Sequence, residues 1–270
     1  MEGIHSDRMT EVNQKERAAR AWPILVDVAL NNRLITYGEL ARQLDIHHRA
    51  VRYVLSEIQD YCLLEKLPPI TILVVDQKDG RPGAGFIAWD VNDLEHGLAL
   101  VYEFPWAAQE NPFGFASDGA TIQSIADAIV KRKLSPGDAY ARVRVRGMAQ
   151  QVFREVLMKS YGGRCALSGY RTPQLLEAAH IIPWGQATPD QRIDPCNGIL
   201  LSVLHHRLFD LQWLRIAEDY TVKAVFTNAP VQSPERELLE ELDGTNLRLP
   251  REQELWPRPD FLRARNKADS

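Results

Sequence analysis

Two histidines, one asparagine and one aspartate in the second half of the chain stand out by their types and spacing. His180 ends the stretch LEAAH, Asn197 follows it after 17 positions, and His206 and Asp210 lie four residues apart. Residues four apart on a helix share a face, so His206 and Asp210 can hold one divalent cation between them. A free imidazole has a pKa of about 6.5, so the His180 ring is mostly unprotonated at neutral pH and can accept a proton from water.

The elements that must position these residues are predicted from apolar periodicity and turn signals. In chain order they are a helix from Ala139 to Tyr161, a turn at 162–163, a strand around 164–167, a turn at 168–169, a strand from Leu176 to Ile181, a loop over 183–196 and a helix over 197–210, NGILLSVLHHRLFD. We therefore expect His180 on a strand and the His206–Asp210 pair on a helix.

This pattern resembles the HNH endonuclease family, with its ββα-metal core. The resemblance covers roughly Gln150 to Ile216 and is carried by LEAAHI, by NG at 197–198 and by the H-x3-D pair in HRLFD. It implies that His180 is the general base and that Asn197 pins the loop that orients this base. It implies further that His206 and Asp210 are metal ligands.

The resemblance also implies a divalent metal ion, Mg²⁺ first, with Mn²⁺, Ni²⁺ or Zn²⁺ as alternatives, which would bind a phosphate oxygen and stabilise the leaving 3′ oxygen. Many family members carry Asp or His immediately before the base, where this chain has Ala179. Water, a DNA phosphate, Glu177 or His205 could replace that ligand, and Mg²⁺ tolerates such a sparse site best. Because Ser168 stands where relatives with a zinc knuckle pair a second cysteine with Cys165, no structural zinc is expected.

Each of these residues also has a simpler structural explanation when it is taken alone. His180 could be a hydrogen-bonded core histidine, 205–206 could be surface histidines, and Asn197 could be part of an ordinary turn. The joint spacing, rather than any single residue, favours the nuclease.

Length and composition agree with a folded protein of two domains. The chain has 270 residues, of which 45% are hydrophobic and 25% charged, and this size allows two cores. No apolar run reaches the roughly 18 residues that a membrane helix requires. The polar N-terminus lacks the apolar core of a secretory signal. The three widely spaced cysteines, Cys62, Cys165 and Cys196, do not have the even number typical of a disulfide framework. We therefore expect a cytoplasmic protein without membrane contact.

The N-terminal half predicts three helices followed by two strands. The helices are expected over 17–30, from Thr36, where Glu39 completes a capping box, and over 47–64. The strands are LPPITILVV and GAGFIAW. A winged helix-turn-helix would have this order, and the segment with YGELA resembles the DNA-binding domain of alkylguanine-DNA alkyltransferase-like proteins, without their Pro-Cys-His-Arg motif. A helical domain whose third helix contacts protein is the alternative.

The predicted fold class is α+β, with a winged helix-turn-helix-like domain followed by a ββα-metal nuclease domain. The expected boundaries are a disordered leader over 1–16, the winged-helix-like domain over 17–103, a connector with one helix over 104–137, and the nuclease domain over 138–270.

Charge gives modest support for a DNA partner. The whole chain has a net charge of −4, but Asp138 to Arg215 contains ten Lys or Arg against six Asp or Glu. The candidate DNA-binding residues are Arg142, Arg144, Arg146, Arg154, Arg49 and Arg52. A solvated surface is the alternative for the arginines in ARVRVRG.

The functional hypothesis is a metal-dependent endonuclease that hydrolyses DNA, with restriction or anti-phage defence as its role by analogy of architecture. The alternative is a DNA-binding or regulatory protein whose HNH domain has lost cleavage, for which Ala179 is the warning sign. The N-terminal domain either targets DNA or senses a ligand and gates the nuclease. One such site cuts one strand, so a homodimer is one route to a double-strand cut.

Overall fold

The structure, a computed structural model, describes residues 12–143, 145–226 and 233–267. The chain divides into two compact units, Met1–Thr121 and Ile122–Ser270, and each is described by itself. Both combine helices with short two-stranded sheets, so the class is α+β. Among the described residues, none of the helices combines the length and apolar character needed to cross a lipid bilayer.

The first unit is mainly helical, with one small parallel sheet that pairs Ile35 with Val74. Thr36 caps the second helix as predicted: its hydroxyl accepts from the Glu39 N–H, and the Glu39 carboxylate accepts from the Thr36 N–H. The elements are α1 (Gln14–Leu30), β1 (Ile35–Thr36), α2 (Tyr37–Leu44), α3 (Val51–Leu64), β2 (Val74–Val75) and α4 (Leu94–Glu103).

An aromatic cluster around Trp22 of α1 forms the core of this unit. Tyr61, Trp106 and Phe113 approach the indole edge to face, with ring centroids 5.7 Å, 5.8 Å and 6.2 Å away. Such pairs add to the stabilisation from apolar burial. Trp106 and Phe113 lie in the segment 104–137 and are both fully buried, so this stretch contributes side chains to the core.

The second strand expected in the N-terminal half does not form. Residues 83–89 form turns and bends. The other expected strand, LPPITILVV over 67–75, is a strand only at its last two residues, β2, which follow a 3-10 helix over Ile70–Leu73. The buried Gln59 side chain accepts from the Ile87 N–H and donates to the Gly85 carbonyl, so a side chain replaces a partner strand for this backbone. The predicted strand GAGFIAW is therefore wrong.

The second unit contains an antiparallel pair, β3 and β4, flanked by helices. His180 pairs with Gly198 and Leu176 with Ser202 at the two ends of this hairpin. The elements are α5 (Ile122–Val130), α6 (Pro136–Val143), α7 (Arg146–Ser160), β3 (Leu176–His180), β4 (Gly198–Ser202), α8 (Val203–Asp210), β5 (Leu214–Ile216), β6 (Val222–Ala224), α9 (Pro234–Leu242) and α10 (Pro259–Lys267).

Two element predictions in this unit are wrong. The strand around 164–167 is instead a tight turn, because the Cys165 N–H donates to the Tyr170 carbonyl and the Gly169 N–H returns to the Cys165 carbonyl. The helix predicted from Asn197 begins only at Val203, and its expected first turn is β4. A short, fully buried apolar run such as GILLS fits a strand or a helix equally well by periodicity.

The long helix predicted from Ala139 to Tyr161 is divided into α6 and α7. Val145 is extended, with φ −79° and ψ 131°, which ends the helical pattern between them. Ser135 caps α6, because its hydroxyl accepts from the Asp138 N–H and Pro136 occupies the first turn.

Helix α7 packs directly on the β3–β4 hairpin, and a glycine makes this approach possible. A Cβ on Gly198 would lie 2.5 Å from Cζ of Phe153 and 2.6 Å from Cδ1 of Leu157. Because Gly198 has no side chain, α7 can lie close to the end of β3, where His180 stands.

Candidate active site

His180 stands at the end of β3, and two aromatic rings hold its imidazole. The ring stacks on Phe153 of α7, with centroids 3.9 Å apart and planes 18° from parallel. Trp184 meets it edge to face at 5.8 Å. Because the strand fixes the backbone and two rings restrict the side chain, the imidazole has one defined orientation.

A hydrogen bond to the main chain assigns the tautomer of His180. Nε2 lies 2.9 Å from the carbonyl oxygen of Arg192. A carbonyl only accepts, so Nε2 donates its hydrogen and the lone pair of the neutral ring is on Nδ1. Burial lowers the pKa of His180, the bond to Arg192 opposes this, and the nearby His206 lowers the pKa further. Near pH 7 the neutral ring with an accepting Nδ1 is therefore favoured.

Asn197 is fully buried at the start of the hairpin's second strand and fastens the loop that follows His180. Its Oδ1 accepts from the Ile182 N–H at 2.7 Å. Its Nδ2 donates to the carbonyls of Gln191 at 3.0 Å and Ile182 at 3.3 Å. These bonds tie residues 182 and 191 to Asn197, which directly precedes β4, so the Arg192 carbonyl that receives the His180 hydrogen bond is held in place.

His206 and Asp210 share one face of α8, as their spacing predicts. His206 Nε2 lies 3.4 Å from Asp210 Oδ2. The other ring nitrogen, Nδ1, lies 2.6 Å from Oε2 of Glu177 on β3. The imidazole therefore stands between two carboxylates, one on the strand and one on its own helix.

No ready-made cage of three or more His, Cys, Asp or Glu side chains exists among the described residues. Glu177 and Asp210 lie at opposite nitrogens of His206 and so do not face one point in space. Ala179, buried at the position before His180, offers no polar side-chain atom.

His205 lies on the inner side of α8, within the core. It is 3% exposed, and its Nδ1 is 2.7 Å from Ser202 Oγ and 3.7 Å from Cys165 Sγ. Burial raises the pKa of the Cys165 thiol, but hydrogen bonds from His205 and from Ser168 outweigh it and lower that pKa to about 6. This network joins the 165–170 turn to the start of α8, away from the His206 side.

A pocket of about 550 Å³ brings the candidate residues together. His180, His206 and Asp210 line it, and Trp184 and Arg265 contribute to its wall. Asn197 supports the pocket through the loop. The structure thus gathers the strand histidine and the helix pair at one cavity.

The predicted DNA-binding arginines have different surroundings. Arg146, at the start of α7, lies over the Trp184 ring at 5.6 Å from its centroid. Arg154 donates to the Pro173 carbonyl at 2.7 Å, which is a bond within the fold. In the first unit Arg52 packs over the Tyr53 ring at 4.6 Å. Arg49 and Arg142 are exposed, and Arg144 lies outside the described residues.

Trp184 and Arg265, which line the pocket, and Arg192, which lies beside it, were not predicted as site residues from the sequence. Arg192 lies over the Trp184 ring, 5.1 Å from its centroid, and donates to the Tyr140 hydroxyl at 2.5 Å. Arg265, from α10, reaches the pocket from the C-terminal end of the chain. The one signal for Arg265 is its helical spacing from the buried Phe261 and Leu262, which places a charge on an apolar face.

Comparison with known proteins gives one family. Residues 165–216 match a family described as HNH endonuclease. The matched segment contains β3, β4, α8 and β5, with His180, Asn197, His206 and Asp210 among its residues. No curated protein matches the chain.

Proposed function

We propose that the HNH domain is a metal-dependent endonuclease that hydrolyses DNA phosphodiester bonds. The family match supports nuclease activity. The observation that carries the proposal is the common pocket of His180, His206 and Asp210, with the lone pair of the neutral His180 ring on Nδ1.

His180 acts as the general base. Nδ1 takes a proton from a water molecule, whose oxygen attacks the phosphorus. The bond from phosphorus to O3′ breaks, and O3′ leaves with the electron pair and receives a proton from solvent. The Nε2 donor bond to Arg192 helps hold the positive charge that the ring acquires.

His206 and Asp210 hold the divalent cation. Glu177 accepts the Nδ1 hydrogen of His206, which leaves Nε2, the ring nitrogen that faces Asp210 Oδ2, as the atom that would bind the cation. The ligand set therefore fits a hard cation such as Mg²⁺ that keeps several waters, with Mn²⁺, Ni²⁺ and Zn²⁺ as alternatives. A cation held by these two residues would offset phosphate charge and stabilise the leaving oxygen.

Glu177 is assigned to orienting His206 rather than to completing the coordination sphere. It contacts Nδ1, the nitrogen remote from Asp210. His205 is excluded as a ligand by its burial beside Cys165. Water and the DNA phosphate remain to take the position that Ala179 does not fill.

The DNA backbone approaches over Trp184. Arg146 and Arg192 lie on this ring beside the pocket, and among the described residues neither has a carboxylate within ion-pair distance. Two uncompensated guanidinium groups next to the base suit the phosphates that flank the cut bond. Arg142 and Arg154 are also proposed as contacts with the DNA backbone, as is Arg144, which lies outside the described residues.

The N-terminal unit is proposed as the DNA-targeting module, with Arg49 and Arg52 as contacts. Its first three helices, α1 to α3, and the capping box of α2 support a helix-turn-helix arrangement. Restriction or anti-phage defence is the role proposed for the whole chain. Because one such site cuts one strand, two copies of the chain would be needed to cut both strands together.

Plasmid cleavage tests the enzyme against the alternative of a DNA binder that does not cut. Supercoiled DNA is incubated with the purified chain and Mg²⁺, Mn²⁺, Ni²⁺ or Zn²⁺, beside His180→Ala and the control His96→Ala, an exposed histidine of the first unit. We expect the wild type and His96→Ala to nick the plasmid and His180→Ala to leave it intact. Binding without nicking by any of them would support the non-cutting alternative.

A further inference from the structure

Arg265 is a buried arginine that comes from α10, beyond the segment matched to the HNH family. The residue is only 7% exposed. Burying a guanidinium is costly unless hydrogen bonds satisfy it, so a buried arginine requires a structural explanation.

Its two terminal nitrogens reach both elements of the candidate site. Nη1 donates to the carbonyl oxygens of His180 and Ile181, at 3.2 Å and 3.1 Å. Nη2 donates to the Phe209 carbonyl at 3.0 Å and to Asp210 Oδ1 at 3.3 Å. The guanidinium also lies 3.9 Å from the centroid of the Phe209 ring. One planar group thus joins the end of β3 to the end of α8.

The bond to Asp210 also selects which carboxylate oxygen faces His206. Oδ1 is bound to Arg265, and Oδ2 is the oxygen 3.4 Å from His206 Nε2. The bond from Arg265 holds Oδ1 in place, which restricts rotation of the carboxylate. Arg265 therefore presents Oδ2 to the place where the cation is proposed to bind.

We propose that Arg265 is a positioning residue that sets the distance between the general base and the metal ligands, so that α10 is part of the active site. The inference rests on the proposed nuclease function. Arg265 touches neither water nor phosphate in this role; it acts through the main chain at 180–181 and through Asp210.

Lysine cannot take this role, because it carries the same charge without the planar fork. A rotating ammonium has three donors on one atom and cannot reach two carbonyls on β3 and two oxygens on α8 together. A misplacement of about 1 Å costs on the order of 10²-fold in rate. Loss of a residue that orients a metal ligand lowers metal affinity about 10-fold or more.

Arg265→Lys and Arg265→Met test this, with Arg263→Lys as the matched control on the same helix. Arg263 is exposed and makes a two-pronged ion pair with Glu218, so its change leaves the pocket untouched. Thermal unfolding is recorded first, and all assays run well below the lowest midpoint. Mn²⁺ binding is measured without DNA by the electron paramagnetic resonance signal of the free ion, and kcat and KM are measured on plasmid.

For Arg265→Lys we expect kcat to fall on the order of 10²-fold, KM to stay near the wild-type value, and Mn²⁺ affinity to fall about 10-fold. Arg263→Lys should match the wild type in all three. A folded Arg265→Lys with wild-type kcat and Mn²⁺ affinity overturns the inference, whatever its melting temperature. If neither Arg265 variant folds, the residue serves folding and the inference is overturned as well. If the wild type itself neither binds Mn²⁺ nor cuts, the proposed function fails instead.

Discussion

Replacement of Gly198 by alanine tests whether the contact between α7 and the hairpin sets the geometry of the candidate base. The new Cβ would lie 2.5 Å from Phe153 Cζ and 2.6 Å from Leu157 Cδ1. Both side chains are buried, at 1% and 0% exposure, so neither has open space to move into. The backbone at Gly198 is extended, with φ −144°, which alanine adopts without strain. The cost therefore comes from packing alone.

Overpacking of this kind costs about 1–3 kcal/mol of stability. We expect Gly198→Ala to lower the free energy of unfolding by this amount in urea titrations followed by circular dichroism. The variant should also cut DNA more slowly, because the displaced Phe153 ring is the one that stacks on His180. Gly185→Ala is the control: nothing lies within 4 Å of its new Cβ, and its stability should change by less than about 0.5 kcal/mol.

A second substitution identifies the atoms responsible. Phe153→Leu removes Cζ, so the double variant Gly198→Ala/Phe153→Leu should lose less stability than the two single changes added together. Additive losses, or a Gly198→Ala protein that unfolds at the wild-type urea concentration, would refute the idea that this contact spaces α7 from β3.

Two further predictions concern pH and salt. Burial lowers the pKa of His180. We therefore expect kcat/KM to rise with pH through a midpoint below 6.5 and to level off at higher pH. A midpoint above 6.5 would contradict a buried, neutral base. Arg146→Gln and Arg192→Gln should each reduce the slope of log affinity against log salt by about one, as measured by fluorescence anisotropy on a DNA duplex, since each removes one proposed phosphate contact. Arg236→Gln, whose arginine is paired with Glu240, should leave the slope unchanged, and equal slopes for all three variants would remove both arginines from the interface.

Local signals in the sequence predict local structure well. The capping box of Thr36 and Glu39 is complete within four residues, and the helix that it begins is where the pattern places it. The His206–Asp210 interval likewise needs only the helical repeat to bring the two side chains to one face.

Structure that depends on distant partners is not predictable in this way. The run GILLS becomes a strand because LEAAH lies beside it. Residues 83–89 stay irregular because Gln59, on a helix 26 and 28 residues before its two bonding partners, binds their backbone. Arg265 meets His180 across 85 positions of chain. Neither residue spacing nor composition in a single sequence predicts a contact between residues so far apart in the chain.

The side chains that shape the pocket come from a longer stretch than the recognisable motif. The imidazole rests on Phe153, ahead of the matched segment, and Arg265 enters from well behind it. A sequence search that scores only residues 165–216 therefore covers the candidate base and metal ligands but not Phe153 and Arg265, which hold them in position. Other chains that share the motif but lack an aromatic residue before it and an arginine-bearing helix after it must position the histidine and the metal ligands by other contacts. Such chains should be classified separately from this one.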